Sequence, residues 1–194
     1  DSRKRQVPSW LKRLQIIDST TITLFSNLLF KGVGRHPKSG KKKGGIKVHT
    51  NIHANEGVPS DIRFTSAATN DSFMLKPTNY NDGDIIAMDR AYIDYSKFEE
   101  LTTRGVIYVT KMKKNLVYDV HSDKMYMTPE GLMEHRVQFV EFKKRVKDGE
   151  DIRHKARIIT YVDLNKKKQK SERIRRNTVL SCLSTKGSNE IIER

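Results

Sequence analysis

Apolar and β-branched residues recur in short runs through most of this chain, and the period of the pattern changes once. Leu14, Ile16 and Ile17, followed by Thr20, Thr21, Ile22 and Thr23, predict two short strands at about Leu14–Asp18 and Thr20–Phe25. A single carboxylate, Asp18, sits in the middle of that apolar stretch. Ile46–Ala54 alternates, with Ile46, Val48, Thr50 and Ile52 on one face and Lys47, His49, Asn51 and His53 on the other. A further strand is predicted at Asp61–Ser66, and a helical turn or two near Asn70–Leu75.

The period then shifts. Ile85–Met88 reads as a buried strand ending in Asp89, and a helix follows from about Asp94 to Thr103, stopped by Gly105. The next run, VIYVTK, is β-rich again, so strand, helix and strand form a βαβ unit with a parallel pair. Beyond residue 115, NLVYDV, HRVQFVEF and ARIITYV alternate between charged turns and predict an antiparallel β addition. Two stretches lack any period: KGVGRHPKSGKKKGG, with five glycines and Pro37, and residues 165–194, which open on the charge run NKKKQKSERIRR. The fold class expected is α/β with a mixed sheet, a β-rich insertion and a disordered basic C-terminal tail.

Composition sharpens this. The chain has 194 residues, 36% of them hydrophobic, enough for one domain with a real core. Its net charge of +15 is spread as +10 over residues 1–48, −4 over 49–110 and +9 over 111–194. An acidic middle between basic flanks makes a polyanion the first partner to consider. The lone cysteine, Cys182, excludes a disulfide framework and a Cys-based zinc site and fits a reducing cytoplasm. No apolar run is long enough to span a bilayer. Residues 1–13 read as a basic, helix-like lead-in beginning at Asp1, as expected of a piece of a longer protein with a helical region ahead of it.

Asp18 and Asp89 share a setting, because each closes a run of branched apolar residues. Strand ends in α/β sheets are where sites assemble, since the sheet fixes the carboxylates while loops admit substrate. Two carboxylates brought together repel, and a hard divalent cation relieves the conflict while leaving coordination positions for phosphate oxygens. Two such ions would clamp the attacking and leaving oxygens of a phosphodiester displacement. Taken singly, however, an aspartate at a strand end is more often a turn former or a helix cap.

A resemblance ties the two together. IIDSTTI, GGIKVH, and AMDRAYIDYSKFEEL followed by GVIYVTKMKKN resemble the DDE transposases of bacterial insertion sequences, specifically the insertion-sequence-four family, over about residues 14–165. The resemblance implies a ribonuclease-H-like core over 14–112, a β-rich insertion over 113–164, and a basic tail over 165–194. It implies Asp18 and Asp89 as catalytic metal ligands for Mg²⁺ (or Mn²⁺), and DNA (transposon ends and target) as partner. A bacterial, nucleoid-associated cytoplasmic location and a parent enzyme oligomeric on DNA are implied too. Ala91 and Lys111 stand where the family commonly has Gly and often has Arg. The family's third motif is Tyr, two residues, Arg, three residues, Glu, six residues, Lys. None of the seven tyrosines fits; Tyr108 leads only to Lys111 and Asn115, and Glu190 and Glu193 lie in no such frame. The expectation is a truncated, catalytically impaired transposase copy without an identified third acid, the alternative being a non-catalytic basic DNA-binding protein.

The remaining motifs add less. GRHPKSGKKKGG fails as a phosphate loop, because five residues separate Gly34 from Gly40 and no Ser or Thr follows the lysine. It reads instead as a basic loop gripping DNA, with Lys38, Lys41, Lys42, Lys43 and Lys47 as candidates alongside Arg90 and Lys111. His49 and His53 share a strand face and suit local hydrogen bonding or DNA contact better than zinc. Tyr92 and Tyr95 suit core packing better than base stacking. Lys166–Lys168 and Arg173–Arg176 read as a solvated basic tail.

Overall fold

The computed structural model describes residues 7–23, 45–113, 115–129, 131, 133–145, 151–162 and 176–182, of which 133, 162 and 176–182 as backbone only. A short helix, α1 (Ser9–Arg13), leads into β1 (Leu14–Thr23). β1 is one continuous ten-residue strand rather than the two that the sequence predicts. Ser19 does not break it, since β1 pairs with its neighbour without interruption from Gln15 to Thr23. β2 (Gly45–His53) and β3 (Val58–Ser66) follow as a hairpin, and 3-10 turns at Asp71–Met74 and Pro77–Asn79 lead to β4 (Ile85–Met88). A third 3-10 turn, Arg90–Tyr92, precedes α2 (Tyr95–Thr103), and β5 (Ile107–Lys111) completes the βαβ unit.

α2 shows why this segment is helical. Asp94 caps its start, accepting from the Ser96 and Lys97 N–H groups. Gly105 ends it at φ +74°, where Gly105 N–H donates to Thr102 and Val106 N–H to Leu101, a Schellman closure. A side chain at Gly105 would also collide with the Asp82 carboxylate.

The antiparallel addition comprises β6 (Tyr118–Met127), β7 (Met133–Lys144) and β8 (Ile152–Val162), and then β9 (Arg176–Cys182). β9 corrects the reading of the tail: the aperiodic stretch after residue 164 contains a strand, and that strand joins the two halves. All nine strands form one sheet in the order β3-β2-β1-β4-β5-β9-β8-β7-β6. β1, β4 and β5 are mutually parallel, and every other neighbouring pair is antiparallel. The mixed sheet and the β-rich addition thus stand as the sequence predicts.

One core runs beneath β1, β4, β5, β7 and β8. Phe98 and Leu101 of α2 pack with Ile86, Val106 and Tyr108 on one side and with Val140, Phe142, Ala156 and Ile158 on the other. Phe98 stacks on Tyr108 with ring centroids 4.0 Å apart. At the centre, Tyr108 Oη lies 2.5 Å from His154 Nε2, and His154 Nδ1 lies 2.7 Å from Glu99 Oε2. Burial holds His154 below the ordinary imidazole range against the pull of Glu99. The neutral ring therefore donates through Nδ1 to Glu99 and accepts the tyrosine proton at Nε2. This relay fastens β8 of the addition to α2 and β5.

Candidate active site

The parallel register brings the two aspartates together. β1 and β4 pair Leu14 with Ile85 and so on to Ile17 with Met88. Asp18 and Asp89 each follow that last pair by one residue, on neighbouring strands about 4.8 Å apart. Alternation puts both on the sheet face that carries Ile16 and Ala87, opposite the face packed beneath α2. Both are exposed. Asp18 Oδ1 accepts the Ser19 N–H at 2.8 Å, and Asp89 Oδ1 accepts the Ala91 N–H at 2.9 Å, capping the turn Arg90–Tyr92. Asp89 is thus a cap as well as a site candidate. Among the described residues neither aspartate makes an ion pair, and the second oxygen of each makes no hydrogen bond. These oxygens suit a hard divalent cation, which takes carboxylates and completes its shell with water and phosphate. Among the described residues no third His, Cys, Asp or Glu joins them to form a metal-binding group.

Behind the pair, on the helix side, lies a polar network that the sequence reading does not anticipate. Ser19 Oγ donates to Asp71 Oδ1 at 2.9 Å, and the Lys47 ammonium pairs with the same oxygen at 3.1 Å while donating to the Thr69 carbonyl. His49 Nδ1 lies 3.3 Å from Tyr92 Oη, and its Nε2 lies 2.9 Å from Thr65 Oγ1. Burial holds His49 below its ordinary value, opposed by Asp71. Tyr92 is fully buried, and that burial, with the Asp71 and Asp18 charges adding to it, pushes its hydroxyl up to about 12. Ser19 adjoins Asp18 and Tyr92 follows Asp89 by three residues. The network therefore braces both segments that carry the acids. Asp71 gives no periodic signal; its one local signature is the Asn70 cap of the turn Asp71–Met74.

The other candidates separate. Lys111 is exposed at the end of β5, one residue beyond Thr110, which pairs with Met88. It therefore shares the row and the face of the aspartates. Arg90 is exposed beside Asp89. Lys47 faces the other way and is spent on Asp71, only 11% exposed. His49 and His53 share that helix side, away from the aspartates. Tyr95 stacks on Phe142 at 5.0 Å, so both tyrosines serve packing. Lys38, Lys41, Lys42, Lys43, Lys166–Lys168, Glu190 and Glu193 lie outside the described residues, as do Arg173 and Arg175; Arg176 is described as backbone only. No helix among the described residues is long and apolar enough to cross a membrane.

Comparison with known proteins supplies the rest. No curated protein matches the chain. Among solved structures, one that is similar is the piggyBac transposase synaptic complex with hairpin DNA, at 12% identity and a TM-score of 0.43. The alignment covers 87% of this chain and 33% of that one, so this chain spans about a third of the larger protein. The family profile described as the transposase DDE domain matches residues 9–189, continuing well past Leu164, where the sequence resemblance fades. With the match extending over nearly the whole chain, this protein belongs to the transposase DDE domain family.

Proposed function

We propose that this chain carries the ribonuclease-H-like core of a DNA transposase of the bacterial insertion-sequence-four kind, acting in the cytoplasm at the nucleoid, with Asp18 and Asp89 as its metal-holding acids. The observation that carries this reading is the register. Two aspartates 71 positions apart in sequence sit side by side, Asp18 within β1 and Asp89 just past the end of the parallel β4. An accident of turn formation would not require both on one face and both exposed.

The parent reaction would cleave a phosphodiester at a transposon end, water adding to phosphorus as the 3′ oxygen departs. The resulting 3′-hydroxyl would then attack a target phosphodiester and displace its 3′ oxygen in turn. Bound Mg²⁺ or Mn²⁺ would neutralise charge on the phosphate and lower the pKa of the attacking water. The chain's own residues do the positioning. Asp18 and Asp89 hold metal rather than exchange protons, and the Ser19–Asp71–Lys47 network keeps their strands in place. Lys111, one strand over, supplies positive charge beside them, and Arg90 adds a phosphate contact. Positioning and charge neutralisation supply most of the rate in phosphoryl transfer.

A second reading is favoured by the lack of a third carboxylate beside the pair among the described residues. On that reading the chain is a truncated, catalytically impaired copy that binds DNA without cutting it. Mn²⁺-stimulated nicking of supercoiled DNA separates the two. In the catalytic case the chain nicks, and Asp18→Ala or Asp89→Ala abolishes nicking while sparing DNA affinity. In the impaired case even the parent chain fails to nick. If both variants nick like the parent, the two-aspartate assignment is wrong.

A further inference from the structure

The face that carries Asp18 and Asp89 changes character across the sheet, and pairwise registers trace it. Ala87 pairs with Val109, Val109 with Ser181, and Ser181 with Arg157. Arg157 therefore shares the face of the aspartates. Lys155 and Arg153, two and four residues earlier on β8, share it as well. Across from Arg153 stands Lys143, and across from Lys155 stands Glu141.

The charges on this surface do not cancel. Lys143 bonds Asp119 at 2.6 Å and lies 3.8 Å from Glu141, which is itself buried. Among the described residues, that leaves Arg153, Lys155 and Lys111 exposed and without an ion pair. Arg153 and Lys143, like charges directly opposite across two antiparallel strands, form a pairing that a sheet disfavours by itself. A row of exposed cations on one face suits a polyanion. Along one strand face successive cations stand about 6.7 Å apart, the rise of two nucleotides. Strand spacing and rise put Arg157, Lys155 and Arg153 about 16, 20 and 25 Å from Asp89. The row thus leads away from the acid pair over roughly seven nucleotides' rise.

We infer that Lys111, Arg157, Lys155 and Arg153 form a track for the phosphate backbone of duplex DNA, leading outward from the Asp18–Asp89 pair across the antiparallel addition. The inference rests on the transposase reading, for it supplies the DNA that this reading requires with a path. Contacts to phosphate set register without reading sequence, so the track holds any duplex alike.

The test is binding of the full chain to a fluorescent 30-base-pair duplex, followed by anisotropy over a series of salt concentrations with EDTA present. The Arg153→Gln/Lys155→Gln variant should flatten the slope of log affinity against log salt by about 2, equally for two unrelated duplexes. Both side chains are exposed, and an unchanged circular dichroism melt confirms the fold. The control, Lys76→Gln/Lys144→Gln, removes two exposed charges from the helix side and should leave the slope in place. Equal flattening by both pairs, or none by the first, overturns the track while the transposase reading stands. A parent chain that does not bind DNA at all overturns both. Poly-glutamate binding that the first pair abolishes while DNA binding persists assigns the row to an acidic protein and overturns the track.

Discussion

The two halves of the single sheet differ in what they bury. In β7 and β8 the side facing α2 is mostly apolar, with Val140, Phe142, Ala156 and Ile158 buried beside the polar His154, and the other side carries Lys143, Arg153 and Lys155. In β1–β3 the helix side buries polar groups beside Ile17. Gln15 and His49 are buried on the helix side, whereas Ile16, Ile22, Ile62 and Phe64 stand 40% to 70% exposed on the other. A buried polar side chain is tolerated only with partners, and these have them: Gln15 accepts from Asn51 Nδ2 at 2.8 Å, and His49 meets Thr65 and Tyr92. The addition is held by core packing around the His154 relay, while β1 and β2 lean more on a specified polar network. The same arrangement leaves Ile16, Ile22, Ile62 and Phe64 exposed on the face that carries Asp18.

That comparison can be broken or sharpened by substitution. The largest effect is expected from Phe98→Ala, because Phe98 belongs to the core that both halves share. Loss of about 3–5 kcal/mol in urea unfolding should come with one transition. Two separate transitions would mean that the halves fold independently, and the shared core would be refuted. A smaller loss, about 1–3 kcal/mol, is expected for Tyr108→Phe, which leaves His154 Nε2 buried without its donor.

The same relay sets a pH dependence. Burial lowers the folded-state pKa of His154 and His49 below 6.5, so below that pH the unfolded chain binds more protons than the folded one. Their contribution is therefore present above pH 6.5 and lost as pH falls, and melting temperature should drop between pH 7.5 and pH 5.5. His154→Asn should lower stability at pH 7.5 but flatten this drop; an unchanged drop would clear His154 of any part in it. Smallest of all should be Ile62→Ser/Phe64→Ser, within about 0.5 kcal/mol per site because neither side chain is buried. A loss comparable to that of Phe98→Ala would show that this side of β3 is packed after all.

Much of the architecture was legible along the chain because strands and helices write their period locally. Ile85–Met88, the Asp94 cap and Gly105 mark the βαβ unit within a few residues, and the alternation of HRVQFVEF and ARIITYV marks β7 and β8. Period does not say which face is covered. The alternation of β2 separates an apolar row from a polar one, and the structure buries His49 of the polar row, since the elements that settle the matter, Asp71–Met74 and Arg90–Tyr92, lie far away in sequence. Nor does period reveal β9, whose residues close the sheet between β5 and β8 through pairing alone. The kinds of element, their order and the two acidic motifs are thus readable along the chain, all consequences of local side-chain chemistry. Only tertiary structure decided that Asp18 and Asp89 stand in one row, that Lys47 is turned away from them, and that the cations of β8 share their face. Those outcomes depend on strand register, which is set by contacts between residues distant along the chain.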